Sequence, residues 1–147
     1  MKIGIGSDHA GLELKQDLQA YLKEAFPQYE VIDYGTNDTA STDYALYGAR
    51  VGHAVAKGEL DRGIVICGSG LGISMTAGRI RGVRCALCHD AYTAKMSRLH
   101  NNANVLALGG RVLGKGVARD MVEIWLTTEF EGGRHQRRID QIEELTR

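Results

Sequence analysis

The sequence predicts an α/β fold: one parallel sheet with helices packed on both of its faces. Three observations lead there. Short apolar runs alternate along the whole chain with longer segments of helical periodicity, and that order gives a parallel sheet joined by right-handed crossovers. The chain has 147 residues, 44% apolar and 24% charged, close to the norm for one globular domain. It carries 19 glycines, nearly twice the usual share of roughly 7%, as expected of a chain with many tight turns or close approaches to a ligand. No internal repeat, linker or low-complexity tract interrupts the pattern, so residues 1–147 are expected to form a single domain.

The elements follow in order. Lys2 to Ser7 reads as a buried strand. Residues 11–26 place Leu12, Leu14, Leu18, Leu22 and Phe26 close to helical spacing, and Pro27 stops the helix. Glu30 to Asp33 is a second strand. The polar stretch from Thr36 to Asp43 is a loop. Tyr44 to Lys57 is helical, with Gly58 suited to its C-cap. Arg62 to Cys67 is a third strand, apolar at its centre. Gly68-Ser-Gly-Leu-Gly72 opens a helix reaching about Ile80. Val83 to Leu87 is a strand, Tyr92 to His100 a helix, Asn104 to Leu108 the fifth strand and Val117 to Leu126 a helix. A charged helix starts near Arg134. The expected architecture is a Rossmann-like three-layer sandwich with a five-stranded parallel sheet.

Such sheets bind ligands beyond the carboxyl ends of their strands. Those ends carry Asp8-His9, Tyr34-Gly35, Cys67-Gly68, His89-Asp90 and Gly109-Gly110-Arg111. They are distant in sequence but are expected to be neighbours in space.

Composition excludes several classes. Lys plus Arg is 18 and Asp plus Glu is 18, so the formal charge is zero and a nucleic-acid partner is not expected. Apolar runs are too short to span a bilayer, and no membrane partner is expected. Asp8, His9 and Glu13 interrupt any signal-like stretch near the start, and three cysteines fit a reduced, cytoplasmic protein.

Several motifs imitate known sites. Gly4-x-Gly6 followed by Asp33 suggests a dinucleotide fingerprint, but position 9 is His rather than Gly and Asp8 would repel a pyrophosphate. Gly109-x-x-x-x-Gly114-Lys115 suggests a P-loop, but Gly116 stands where a hydroxyl should hold magnesium. Cys85-x-x-Cys88 has redox spacing, yet Cys85 lies in a strand, where residues three apart face opposite ways. It reads as core. No second ligand pair supports zinc, so no metal site and no cofactor are expected.

Cys67 is different. It ends a buried strand just before a glycine loop and a helix start, where amides and the helix dipole favour an anion. A phosphatase loop would need Arg at position 73, which is Ile. The spacing supports either a base flanked by oxyanion donors or a plain buried strand-end cysteine. His9 and His100 lie at element ends and could equally be surface residues. His53 lies within a helix and reads as solvated. Arg111, Arg134 and Arg138 can grip phosphate. Arg134 and Arg138 share a helix face, and from spacing alone a solvated role is the plainer reading.

Taken together, these segments resemble the type B ribose-5-phosphate isomerases of the galactose/allose-6-phosphate isomerase superfamily. The resemblance covers nearly the whole chain. It rests on the joint order of Gly6-Ser-Asp8-His9-Ala-Gly11, Val31-Ile-Asp-Tyr-Gly35, Ile66-Cys67-Gly-Ser-Gly-Leu-Gly-Ile-Ser74, Ser97-Arg-Leu-His100-Asn101, Asn104-Val-Leu-Ala-Leu-Gly109 and Glu131-Gly-Gly-Arg-His-Gln136. It implies metal-free aldose–ketose isomerisation of a phosphorylated sugar through an enediolate. Cys67 would be the base. Ser69 and the amides of Gly68, Gly70, Leu71 and Gly72 would hold the oxyanion. His100 would be the ring-opening acid, with Asp8, His9 and Asn101 on the sugar. Arg111, Arg134 and Arg138 would clamp phosphate, which reverses the plainer reading of the C-terminal arginines. A homodimer or homotetramer with shared sites is also implied. The chain departs from the family at Ala45, where the family has Pro after Asp-Tyr and where the loop beside the sugar is expected to be freer. It departs again at Gly78-Arg79, where Gly78 is expected to leave room for a longer or differently oriented sugar. Other readings are the same chemistry on allose 6-phosphate, galactose 6-phosphate, a tetrulose phosphate or a free aldose, a non-catalytic sugar-phosphate-binding subunit, and a nucleotide module on the Gly109 loop.

Overall fold

A computed structural model describes residues 1–146; the final residue of the expected 1–147 domain lies outside them. Strands β1 (Lys2–Ser7), β2 (Glu30–Asp33), β3 (Arg62–Cys67), β4 (Cys85–Leu87) and β5 (Val105–Gly109) form one sheet in the order β2-β1-β3-β5-β4. Every neighbouring pair is parallel. The three inner strands are buried on both faces, which is why their sequences are nearly continuous apolar runs. The register sets Ser7 beside Ile66 and Cys67 beside Gly109, so the ends of β1, β3 and β5 lie side by side.

Helices α1 (Leu12–Ala25), α2 (Tyr44–Ala56), α3 (Leu71–Gly78), α4 (Ala91–Leu99), α5 (Lys115–Thr127) and α6 (Arg134–Leu145) complete the chain. Side chains alternate along each strand and so divide the core in two. Ile64 and Ile66 pack with Leu14, Leu18 and Leu22 of α1 and with Met121, Val122 and Trp125 of α5. Val65 and Cys67 point the other way, against Val51 and Val55 of α2 and Ile73 and Ala77 of α3. Cys85 and Cys88 fall in opposite cores, as their spacing in a strand requires. The expected three-layer sandwich is the observed one. No helix among the described residues is long and apolar enough to cross a membrane.

Boundaries move where local chemistry competes. The fourth strand starts at Cys85 rather than Val83, because the Arg84 amide binds the Asn104 side chain instead of a neighbouring strand. A 3-10 turn (His9–Gly11) leads into α1, with the Asp8 side chain accepting from the Gly11 amide. The α5 helix begins two residues before Val117, with Gly114 as N-cap, so the P-loop look-alike is a strand-to-helix turn. Sequence periodicity gave no sign of one polar contact. Lys15 is fully buried on α1 and its Nζ donates to Asp33 at 2.6 Å and Asn37 at 2.9 Å. Asp33 is thereby an ion-pair partner in this fold rather than a ribose ligand.

Candidate active site

A cavity of about 410 Å³ opens at the carboxyl end of the sheet, lined among others by Asp8, His9, Tyr44, Cys67, Ser69 and Arg111. Cys67 is 4% exposed, and its Sγ accepts the Gly70 amide at 3.2 Å. That contact depends on Gly70 taking the left-handed conformation, φ +81°, which turns the chain from β3 into α3. Two other thiols lie in the core. Burial pushes Cys85 up to about 12, and burial also raises Cys88.

The loop's donors are partly committed. The Leu71 amide binds Ser69 Oγ at 3.2 Å, and the Gly70 amide is on the sulfur. Gly72 lies in the first turn of α3, where amides have no partner within the helix. Its bare Cα is covered by the Tyr44 ring, which leaves no room for a side chain there. Asp8 is buried and spends Oδ1 on the Gly11 amide, which leaves Oδ2 for a ligand. The Thr42 amide donates to His9 Nδ1 at 3.1 Å, fixing Nε2 as the donor nitrogen of the neutral ring. Thr42 also meets the Tyr47 hydroxyl at 3.1 Å. The 36–43 loop is thus tied down at its end despite Ala45. Arg111 hangs beside Gly68, its amide donating to the Gly68 carbonyl at 2.9 Å and its side chain facing the cavity.

Five expected residues therefore meet as the strand ends required: Asp8, His9, Cys67, Ser69 and Arg111, with Gly68 and Gly72 in the same lining. Gly70 and Leu71 complete the loop. Four others do not join them within one chain. α4 returns from the carboxyl to the amino edge of the sheet, so His100 and Asn101 lie at the opposite edge, just before β5. α6 starts beside them, since the Glu131 amide binds the Leu99 carbonyl at 3.1 Å. Arg134 and Arg138 are exposed there. Strands of five or six residues at roughly 3.3 Å each put about 15–20 Å between the two edges. Gly78 closes α3 outside the lining of the Cys67 cavity, and a Cβ there would stand 3.8 Å from Cys85 Cβ. His53 is exposed on α2, as expected.

A second polar group surrounds His100. Its ring stacks on that of His135, centroids 4.3 Å apart and 15° from parallel. Glu131 lies 3.6 Å from His100 Nε2 and 3.9 Å from His135 Nε2. Sequence spacing missed this trio, because His100 and Glu131 are far apart in the chain. The i, i+4 relation of Glu131 and His135 was the only local signal.

The chain matches the family model described as Ribose/Galactose Isomerase over residues 3–142. It is 48% identical over 141 residues to Ribose-5-phosphate isomerase B of Escherichia coli, covering 96% of this chain and 93% of that one. The fold superposes on Ribose-5-Phosphate Isomerase B of Clostridium thermocellum with a TM-score of 0.96 at 53% identity, over 99% of this chain and 97% of that one. It superposes on Ribose-5-phosphate Isomerase B of Mycoplasma genitalium with bound Ribulose-5-phosphate at 0.93 and 41% identity, over 99% and 95%. By motif order, fold and overall identity alike, the chain belongs to the ribose/galactose isomerase family.

Proposed function

We propose that this chain interconverts ribose 5-phosphate and ribulose 5-phosphate through an enediolate. The observation that carries the reading is the Cys67 thiol at the base of the cavity, with the Gly70 amide on its sulfur. A pure binding subunit has no use for a base at that place. The Cys67 thiolate removes the proton from sugar C2 and returns it to C1. The open amide of Gly72 and the Ser69 hydroxyl stabilise the charge that develops on the sugar oxygens. Asp8 Oδ2 and His9 Nε2 hold sugar hydroxyls, and Arg111 meets the phosphate. Similarity to the E. coli ribose-5-phosphate isomerase B and to the ribulose-5-phosphate-bound M. genitalium enzyme supports this sugar over a hexose or tetrose phosphate. The protein acts as one domain in the reduced cytoplasm, in keeping with its three free thiols.

The active unit in this reading is at least a dimer. His100 opens the sugar ring, Asn101 contacts the sugar, and Arg134 and Arg138 clamp its phosphate, all reaching the Cys67 cavity from a second copy. Their place at the far edge of the sheet supports this, as do Leu71 and Met75, large apolar residues exposed beside the cavity on one face of α3. Rates on pentose, hexose and tetrose phosphates test the sugar, and equal or greater efficiency on a hexose phosphate would refute it. Mixing Cys67→Ala with Arg134→Ala protein tests the sharing. Assayed well below KM, where Arg134→Ala protein turns over slowly, random exchange should restore roughly a quarter of the wild-type sites, since one site of each mixed dimer is intact. Proven exchange with no recovered activity would refute it.

A further inference from the structure

We propose that Glu131 is the positioning residue of His100: its carboxylate holds the proton on His100 Nε2 and leaves Nδ1 as the nitrogen that serves the sugar ring. The proposal rests on the reading of His100 as the ring-opening acid.

The geometry brings three groups to one point. Glu131 Oε1 stands 3.6 Å from His100 Nε2, and its other oxygen stands 3.9 Å from His135 Nε2. The Glu131 backbone is anchored beside His100, its amide donating to the Leu99 carbonyl at the end of α4. His135 is 5% exposed, and its Nε2 has no hydrogen-bond partner among the described residues. A buried imidazole nitrogen left unpaired is costly, so its place against the carboxylate calls for a role. Its ring lies flat under His100 and limits that ring's rotation. Burial, then the neighbouring His100 and Arg134, hold His135 below the usual histidine range, so it stays neutral near pH 7. Glu131 stands nearer to His100 Nε2 than to His135 Nε2. Imidazole tautomers are set by the hydrogen bond the second nitrogen makes, and the Glu131 carboxylate, at ion-pair distance from His100 Nε2, is the acceptor that a small turn of either side chain brings into bonding range.

The ring-opening step balances as follows. His100 Nδ1 gives its proton to the ring oxygen as the C1–O4 bond breaks. The anomeric hydroxyl gives its proton to water, and its electron pair becomes the C1 carbonyl. His100 is left with Nε2–H facing Glu131 and regains a proton at Nδ1 from solvent.

The test separates ring opening from proton transfer at carbon. Two rates are measured for each variant: conversion of ribose 5-phosphate, and exchange of the C1 hydrogen of ribulose 5-phosphate with deuterated water. Ribulose 5-phosphate has no furanose form, so exchange bypasses the ring step. Glu131→Gln should lower kcat for conversion on the order of tenfold, the loss seen when a metal-bound histidine is deprived of the carboxylate that orients it. Exchange and KM should stay within about twofold of wild type. The ¹⁵N spectrum of His100 should change from one Nε2–H tautomer to a mixture. Glu131→Asp, which keeps the carboxylate, should recover much of the conversion rate and guards against misfolding of the Gln variant. Unchanged conversion and an unchanged ¹⁵N spectrum, or exchange falling in step with conversion, would overturn the proposal. His100→Asn tests the underlying reading. If it converts at the wild-type rate, ring opening by His100 is wrong, while the ¹⁵N spectra still decide whether Glu131 sets the tautomer.

Discussion

Replacing Gly70 by Ala tests the link between fold and chemistry most directly. Gly70 has φ +81°, and holding an L-residue there costs about 1–2 kcal/mol. The new methyl would also meet Leu87 Cδ1 at 2.6 Å, and the Leu108 backbone carbon at 2.9 Å and oxygen at 3.1 Å. Leu87 can rotate away, but the β5 backbone is fixed in the sheet. Overpacking of this kind adds about 1–3 kcal/mol. The sum is about 2–5 kcal/mol, or a fall in Tm of roughly 5–15 °C for a domain of this length. Gly58→Ala is the control. Its φ is +76°, but nothing lies within 4 Å of the added methyl, so only the conformational cost of about 1–2 kcal/mol applies. Urea denaturation of both variants at one protein concentration measures the difference, because assembly would otherwise shift the midpoint. Gly70→Ala should also lower kcat well below that of Gly58→Ala under conditions where both are folded, since the amide on Cys67 Sγ moves with the loop. Equal stabilities would refute the packing argument. Full activity in a destabilised Gly70→Ala would refute the role of that amide.

Four further outcomes are expected. Cys67→Ser should fold normally and lose on the order of a hundredfold in kcat with little change in KM, because a hydroxyl is a poor base at neutral pH. Iodoacetamide should label Cys67 first, as Cys85 is pushed up to about 12 by burial; loss of activity that tracks Cys88 labelling would contradict this. Arg134→Ala should raise KM several-fold for the phosphorylated sugar and far less for the free sugar, with equal losses pointing to a structural role. Burial pushes the Asp33 carboxyl up, but hydrogen bonds from Lys15 and the Gly35 amide outweigh it and hold it below its ordinary value. Its stabilising contribution is therefore present above the unfolded value of about 3.9 and lost as pH falls through the lower folded one. Asp33→Asn strands the buried Lys15 charge and should cost about 3 kcal/mol at pH 7, with the gap to wild type narrowing in acid; a gap independent of pH would refute it.

The sequence by itself determined what short-range chemistry encodes. Periods of two and of about 3.6 residues are local, so Ile64-Val65-Ile66 declared a doubly buried strand and Leu14, Leu18 and Leu22 a helix face. Alternation of such segments implied parallel strands, and parallel strands implied that Asp8, Cys67 and Arg111 would meet at one edge. The Cys67 loop was legible for the same reason, because Gly70 must lie three residues after the thiol to donate to it. Tertiary structure decided what depends on which way a helix runs and what it meets. His100 and Asn101 end a helix that returns across the sheet, which puts them about one strand length from Cys67 despite their shared motif order. The burial of Lys15 depends on Asp33 and Asn37, contributed by a neighbouring strand and its loop. Glu131 meets His100 only because α6 starts against the end of α4. The last two are contacts between polar groups distant in the chain. No hydrophobic period records such contacts, because their energy depends on a partner's position and not on the residue's own neighbours.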